Sequence, residues 1–240
     1  MIAATTNAFV GALLARRPDH YRNYTVVGII LLGIIAGIAG GVARDIILND
    51  IPSAFTNPAY IVFSIAVSIV ALSIGYYSGQ KFKEGTFKYM AAFSLPWYSA
   101  VGVNKALEAG LPAVPSIIIG VIAATTGRFV VDIVSGVTPK QFVRGEWFVG
   151  TAVLTSFIYY LCYLAGLSIW PATLISFAAG FVFRIAAQSK LWEEPEPWEP
   201  GDSNQAQKPM KVPTGDIHSA IPNRGDATSS GSQTEGTETL

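Results

Sequence analysis

A glycine pair followed by a charged pair, Gly40-Gly41 and Arg44-Asp45, lies within an otherwise apolar segment of the chain. Glycine weakens a helix by roughly 1 kcal/mol relative to alanine, so a helix can break there and free its backbone carbonyls. Carbonyls and carboxylates bind partly dehydrated cations, and a charge at membrane depth needs a partner or a water-filled path. The motif therefore indicates cation passage rather than covalent chemistry. Gly37 precedes it by about one turn and belongs to the same glycine series.

A second motif of this kind occurs later in the chain and consists of Thr125, Thr126, Gly127, Arg128 and Asp132. Arg128 and Asp132 are four residues apart, on one helix face, and are predicted to neutralise each other. Arg44 and Asp45 are adjacent, so we expect them to point apart and to take partners from other segments.

Two interpretations of these charges stay open. In the functional one, Asp45 and Asp132 favour cations while Arg44 and Arg128 compete as internal plugs, which makes a gate. In the structural one, all four residues form ion pairs that join helices. The glycines then allow close helix packing, as small residues do in membranes, and for Gly37 packing is the preferred reading.

The remaining polar residues suggest no enzyme. Lys105 and Glu108 either belong to the same polar lining or extend toward the membrane surface. The histidines are His20 and His218 alone, and neither paired carboxylates nor metal-ligand spacing occurs in the sequence. We therefore expect no catalytic site, no metal and no cofactor, with a permeant monovalent cation as the only ligand.

The composition is typical of a membrane protein. Only 13% of the 240 residues are charged and 51% are hydrophobic, whereas soluble domains carry about 25% charged residues. Residues 1–190 contain 13 Lys and Arg against 7 Asp and Glu, and residues 191–240 contain 3 against 9. The net charge of zero thus combines a basic body with an acidic tail, and this tail is predicted to be disordered.

Uncharged runs long enough to cross a bilayer recur along the chain, since a crossing takes roughly 20 helical residues. Seven spans are predicted, near residues 2–16, 24–48, 58–79, 87–107, 112–136, 145–166 and 169–188. The fold class is therefore an all-α polytopic membrane protein of seven transmembrane helices.

The basic residues indicate the orientation of the spans. Ten of them follow spans one, three, five and seven, and therefore fall on one side: Arg16, Arg17, Arg22, Lys81, Lys83, Lys88, Lys140, Arg144, Arg184 and Lys190. The positive-inside rule then places the N-terminus outside and the C-terminus in the cytoplasm of a multi-pass protein of the cell membrane. The basic residues belong to this topology, so we expect membrane lipids as partners and no nucleic acid.

An internal repeat appears when the sequence is shifted by 87 residues. The identical pairs are Gly40 and Gly127, Asp45 and Asp132, Ile46 and Ile133, Pro52 and Pro139, and Phe55 and Phe142. Each copy has three spans, an odd number, so the second copy is predicted to be inverted relative to the first. The predicted units are a first repeat at 1–84, a second at 85–167, a seventh helix at 168–190 and the tail at 191–240.

Three segments together resemble the TRIC (trimeric intracellular cation) channel family, whose prokaryotic members often carry a glycine-transporter label. They are Gly11-Ala12-Leu13-Leu14-Ala15-Arg16-Arg17, Gly40-Gly41-Val42-Ala43-Arg44-Asp45-Ile46-Ile47-Leu48 and Lys105-Ala106-Leu107-Glu108-Ala109-Gly110-Leu111. The resemblance implies a homotrimer with one potassium-permeable pore per protomer, formed by the kinked second and fifth helices.

The family motif carries over onto residues of both repeats, namely Gly40, Gly41, Arg44, Asp45, Gly127 and Asp132. The second copy departs from the pattern. It reads Thr126-Gly127-Arg128 where relatives commonly show three glycines, and Val131 stands where Arg is expected. The basic residue has thus moved across the kink.

Two other functions compete with a channel. A transporter for a small zwitterion such as glycine would use the same inverted fold, with half-helix N-termini facing the carboxylate. A structural or assembly role without transport is the other. Ohmic single-channel currents would exclude the transporter, and saturable, stereoselective flux would favour it.

Overall fold

The computed structural model describes residues 1–17, 24–77, 80–143, 147–190 and 192–194, which belong to one compact unit, Met1–Glu196. All regular secondary structure in these residues is helical. The helices are α1 (Ile2–Leu14), α2 (Val26–Ile47), α3 (Ser53–Thr56), α4 (Ala59–Tyr77), α5 (Gln80–Glu108), α6 (Ala113–Val134), α7 (Phe148–Leu164) and α8 (Ile169–Ser189). The predicted disordered tail, apart from residues 192–194, lies outside the described residues.

Seven long helices correspond to the seven predicted spans. Among the described residues, α2, α6 and α8 are long and apolar enough to cross a membrane, and α1, α7 and residues Ala59–Ile74 of α4 are shorter apolar helices. The prediction of an all-helical membrane protein is confirmed, while the number of crossings stays a prediction. α5 begins at Gln80, earlier than predicted, because its charged first turns are good helix formers that a search for apolar runs leaves out. The single-turn helix α3 was not predicted.

Small residues let the long helices pack closely. α5 contacts α1, α6, α7 and α8, and α2 contacts α1, α4 and α6. Fully buried Ala and Ser side chains are frequent along these contacts, for example Ala8, Ala100, Ala123, Ser64 and Ser99. This composition agrees with membrane helices, which associate through close backbone approach rather than through bulky apolar side chains.

The helices α2 and α6 touch backbone to backbone at two glycines. A methyl group on Gly40 would overlap the carbonyl oxygen of Ala123, and one on Gly127 would overlap the carbonyl oxygen of Ala36. Ala36 of α2 lies beside Gly127 of α6, and Gly40 lies beside Ala123. The two helices are therefore antiparallel.

The predicted helix breaks at these glycines are wrong. α2 is one continuous helix through Gly40 and Gly41, and α6 is continuous through Thr126 and Gly127. Glycine permits a break in a helix, but here its missing side chain instead allows a close contact between two continuous helices. Gly37 likewise lies against the backbone of α1 at Ala4, which confirms the packing interpretation for that residue.

The two halves of the chain use corresponding contacts to attach their first helix to their second. Gly11 of α1 faces Gly33 of α2, because a methyl group on Gly11 would lie 3.4 Å from the Gly33 Cα. Gly102 of α5 faces Gly120 of α6, where the same distance is 2.8 Å. Gly33 and Gly120 are 87 residues apart, the same shift that relates Gly40 to Gly127.

The substitution Gly40→Ala is expected to destabilise the protein relative to Gly41→Ala. Both changes favour helix formation equally, but only the first places a methyl group in the α2–α6 contact, and such overpacking costs about 1–3 kcal/mol. At Gly41 the nearest atom to the added methyl group is 4.0 Å away. Thermal unfolding in detergent, followed by circular dichroism, measures the difference. Equal stability of the two variants would contradict the close contact.

Candidate functional site

Arg44 and Asp45 form an ion pair near the C-terminal end of α2. The Arg44 Nη2 and Nε atoms lie 2.6 Å and 2.7 Å from Asp45 Oδ1, and both side chains are buried. The prediction that these neighbours point apart is wrong, because the arginine side chain is long enough to fold back onto the next residue. Gly41, one turn earlier, leaves room for the guanidinium.

Asp45 also fixes the segment that follows α2. Its Oδ2 accepts hydrogen bonds from the Ser53 backbone N–H at 2.9 Å and from the Ser53 hydroxyl at 3.0 Å, at the start of α3. Lys105 of α5 approaches the same group, with its Nζ 3.2 Å from both Asp45 Oδ1 and Asp50 Oδ2. Lys105 therefore belongs to the polar group around Asp45, while its place in a pore lining stays a prediction.

The second motif forms a matching group on α6. Arg128 Nε lies 2.9 Å from Asp132 Oδ1, which confirms the predicted pair four residues apart. Asp132 is fully buried, and its Oδ2 accepts a hydrogen bond from the Lys140 backbone N–H at 3.2 Å. The Arg128 guanidinium lies 5.6 Å from the centre of the Phe87 ring on α5. Aromatic faces attract cations, so the ring also stabilises this arginine.

The two carboxylates have the same local architecture. Each accepts a backbone N–H from the residue eight positions later. In each case the helix is followed by a residue with positive φ, Asn49 at 55° and Gly136 at 67°. Because α2 and α6 are antiparallel, Asp45 and Asp132 lie at opposite ends of the helix contact, roughly 20 Å apart along the axes at 1.5 Å per residue.

Tyr98 of α5 bonds to the backbone of α2. Its buried hydroxyl donates a short hydrogen bond to the Gly37 carbonyl, within the turn that precedes Gly40. This hydrogen bond joins α5 to α2 one turn before the Gly40 contact. Sequence reasoning missed this contact because a tyrosine 61 residues away carries no local signal.

Two cavities lie beside the two charged groups. One of about 50 Å³ is lined by Gly41, Arg44, Asp45 and Tyr98 among others. The other, of about 150 Å³, includes Arg128 in its lining. The α2–α6 glycine contact lies between these residues along both helices, so close packing separates the cavities in this structure.

The remaining candidate residues make local hydrogen bonds within their own helices. Thr125 and Thr126 bond through their hydroxyls to carbonyls of their own helix, at 2.9 Å and 2.7 Å. Glu108 is exposed and accepts a hydrogen bond from Asn104, so it does not join the Asp45 group. Within the described ranges, no three His, Cys, Asp or Glu side chains are placed to hold a metal ion.

The sequence is similar to a known family and to bacterial membrane proteins. A family model described as Glycine transporter matches residues 1–75 and 88–164. The UPF0126 inner membrane protein YadS of Escherichia coli (strain K12) is 21% identical over 191 residues, 78% of this chain and 88% of that protein. A UPF0126 membrane protein of Deinococcus radiodurans is 22% identical over 153 residues, 63% of this chain and 68% of that protein.

Solved structures share the fold. A TRIC trimeric intracellular cation channel orthologue from Rhodobacter sphaeroides is 25% identical, with a TM-score of 0.71 over 79% of this chain and 94% of that one. A TRIC cation channel studied for its conductance is 22% identical, with a TM-score of 0.72 over 84% and 96%. A prokaryotic TRIC channel in 0.5 M KCl is 21% identical, with a TM-score of 0.72 over 80% and 94%.

The buried charges give a direct stability prediction. Asp45→Asn leaves Arg44 buried with its countercharge removed, which costs about 3–5 kcal/mol of unfolding free energy. Asp50→Asn removes the other carboxylate at the same 3.2 Å distance from Lys105, but its side chain is 57% exposed against 1% for Asp45. That exposed pair contributes at most about 1 kcal/mol. Denaturant unfolding of both variants measures the contrast, and equal losses would show that burial of the Asp45 pair has no consequence.

Proposed function

Because this chain belongs to the TRIC family, whose family model is described as Glycine transporter, we propose that it is a potassium-permeable cation channel. The observation that carries the proposal is the placement of charge. The apolar helices α2 and α6, each long enough to cross a membrane, bury the side chains of Arg44, Asp45 and Asp132, and Arg128 beside Asp132 is only 12% exposed. Ionisable groups so placed are typical of ion pathways.

The proposed route runs along the contact between α2 and α6. It leads from the cavity beside Asp45, past Gly40 and Gly127, to the cavity beside Arg128. The backbone contact of the two helices makes the described structure a closed state. Separation of α2 from α6 by a few ångströms would expose helix carbonyls along a hydrated path, which suits a cation.

The internal symmetry supports the same architecture. We infer two inverted three-helix repeats, residues 1–84 and 85–167, a seventh crossing at 168–190 and a cytoplasmic C-terminus. The antiparallel α2 and α6, their reciprocal glycine contacts and the matching carboxylate loops support the inversion. A homotrimer with one pore in each protomer is proposed by likeness to the trimeric Rhodobacter sphaeroides orthologue.

A planar bilayer recording in asymmetric KCl tests the channel directly. The purified protein is expected to give ohmic single-channel currents whose reversal potential lies close to the potassium equilibrium potential. A reversal potential near the chloride equilibrium potential would contradict the proposal. So would the absence of current under conditions in which a related channel, purified in the same way, conducts. Replacing KCl by NaCl on one side then ranks the two cations.

A glycine transporter is the second candidate, favoured by the description of the family model. The buried arginines Arg44 and Arg128 offer a charge that a substrate carboxylate could bind, in competition with Asp45 and Asp132. Uptake of labelled glycine into proteoliposomes separates the two. Saturable uptake together with absent ohmic currents would replace the channel proposal.

Tyr98→Phe is expected to raise the open probability several-fold and to leave the single-channel conductance unchanged. The variant keeps the buried ring but removes the hydrogen bond to the Gly37 carbonyl, which ties α2 to α5 in the closed state. Tyr159→Phe is the matched control, because that buried hydroxyl bonds to Asn104, away from α2. Equal open probability in the two variants would exclude Tyr98 as a gating contact.

A further inference from the structure

A polar residue, Asn7, lies at the middle of α1, an interior helix of the bundle. It is half-buried, nine of the 13 residues of α1 are buried, and the helix contacts α2, α4, α5 and α6. Ala4, about one turn before Asn7, lines the cavity beside Asp45. Arg17, which follows the helix, lines the cavity beside Arg128. Along α1, Asn7 therefore lies between the two cavities.

Asn7 also lies beside the glycine contact of α2 and α6. A methyl group on Gly127 would overlap the Ala36 carbonyl oxygen and lie 3.5 Å from Asn7 Nδ2. The next residue of α1, Ala8, packs against α2, because a methyl group on Gly37 would lie 3.0 Å from the Ala8 Cβ. Asn7 is thus at the junction of α1, α2 and α6, and the accessible part of its side chain faces a space between helices rather than lipid.

The side-chain amide of Asn7 has no hydrogen-bond partner among the residues that the structure describes. Its polar neighbours are bonded to their own helix. The Thr5 hydroxyl donates to the Met1 carbonyl at 3.1 Å, and the Thr6 hydroxyl donates to the Ile2 carbonyl at 2.8 Å. An amide at membrane depth is costly unless protein or water satisfies it. The position of Asn7 therefore indicates that water reaches the junction of the three helices.

We propose that Asn7 is a conductance-determining residue at the constriction between α2 and α6, where its amide oxygen replaces part of the hydration shell of a permeating K⁺. Amide oxygens are ligands that a partly dehydrated monovalent cation accepts in place of water. The inference rests on the proposed channel function. It makes α1 a third wall of the route, next to the two helices that carry the buried charges.

The first test compares Asn7→Leu with Asn7→Asp in single-channel recordings. Leucine has a similar branched shape but offers no oxygen, so Asn7→Leu is expected to lower the potassium conductance about threefold or more. Asn7→Asp keeps an oxygen ligand and adds a negative charge, so the permeability ratio of K⁺ to Cl⁻ is expected to rise. Thr6→Val is the matched control and should conduct like the parent, because the hydroxyl that it removes is already bonded within α1.

The conductance results can overturn the inference in two ways. If the parent conducts and Asn7→Leu has the same conductance, the amide does not act on the permeating ion. If Asn7→Asp leaves the permeability ratio unchanged, the side chain does not face the ion route. The second outcome decides the question even where Asn7→Leu does not fold.

A further measurement does not depend on ion conduction. Asn7→Cys, in a Cys162→Ser background, is reconstituted in liposomes and treated with Ag⁺ in chloride-free nitrate buffer. Ag⁺ is a thiol-reactive monovalent cation, so it is expected to protect this cysteine from alkylation by a maleimide after unfolding, as measured by mass spectrometry. Ile69→Cys, at a position 46% exposed near the middle of α4, is the control for a lipid-facing thiol and should stay unprotected.

This measurement separates the inference from the channel proposal. Equal protection of the two cysteines would show that no hydrated space reaches Asn7, and would overturn the inference even if the parent conducts. If the parent passes no current, the channel proposal fails and the conductance role falls with it. Selective protection of Asn7→Cys by Ag⁺ would in that case still assign Asn7 to a water-filled space.

Discussion

The direct contact of two helix backbones at Gly40 and Gly127 determines how the rest of the molecule is arranged. Without side chains at these positions, α2 and α6 approach until glycine meets carbonyl oxygen, and both helices stay unbroken. Membrane helices gain little from burying apolar side chains, since lipid is equally apolar, so such approach is a main source of their association. The contact also separates the two cavities. In the proposed channel, permeation requires this contact to open.

Charge is then organised around this contact in two similar groups. At one end Arg44, Lys105 and Ser53 surround Asp45, and at the other Arg128 and the Lys140 backbone surround Asp132. Each carboxylate therefore holds both an arginine and the loop that follows its helix. The structural interpretation of these residues as ion pairs is compatible with the proposed gate, because in the proposed channel a pair that holds a loop while α2 and α6 are in contact would rearrange when the helices separate.

Much of this could be predicted from the sequence, for identifiable reasons. Long uncharged runs locate the seven long helices, and the i, i+4 spacing gives the Arg128–Asp132 pair. The 87-residue shift relates Gly40 to Gly127 before any contact between their helices is known. Each of these signals is local or periodic, and a single sequence carries such signals well.

The features that were missed depend on side-chain reach and on contacts between distant segments. Arg44 folds onto its neighbour Asp45, which helical spacing alone does not suggest. The single turn of α3 is too short to show periodicity, and Tyr98 meets Gly37 from another helix. Glycine itself is ambiguous in a sequence, because the same missing side chain permits a broken helix or a close helix contact.

Thiol modification beside the helix contact tests the central claim most directly. Gly41→Cys places a thiol at the cavity next to Asp45, where there is space for it, in a Cys162→Ser background that removes the only native cysteine. A charged, membrane-impermeant thiol reagent added from that side is expected to block the potassium current. The same treatment of Ile46→Cys, at a position 63% exposed on the outer face of α2, should leave the current intact. An unchanged current after complete modification of Gly41→Cys, verified by mass spectrometry, would contradict an ion route between α2 and α6.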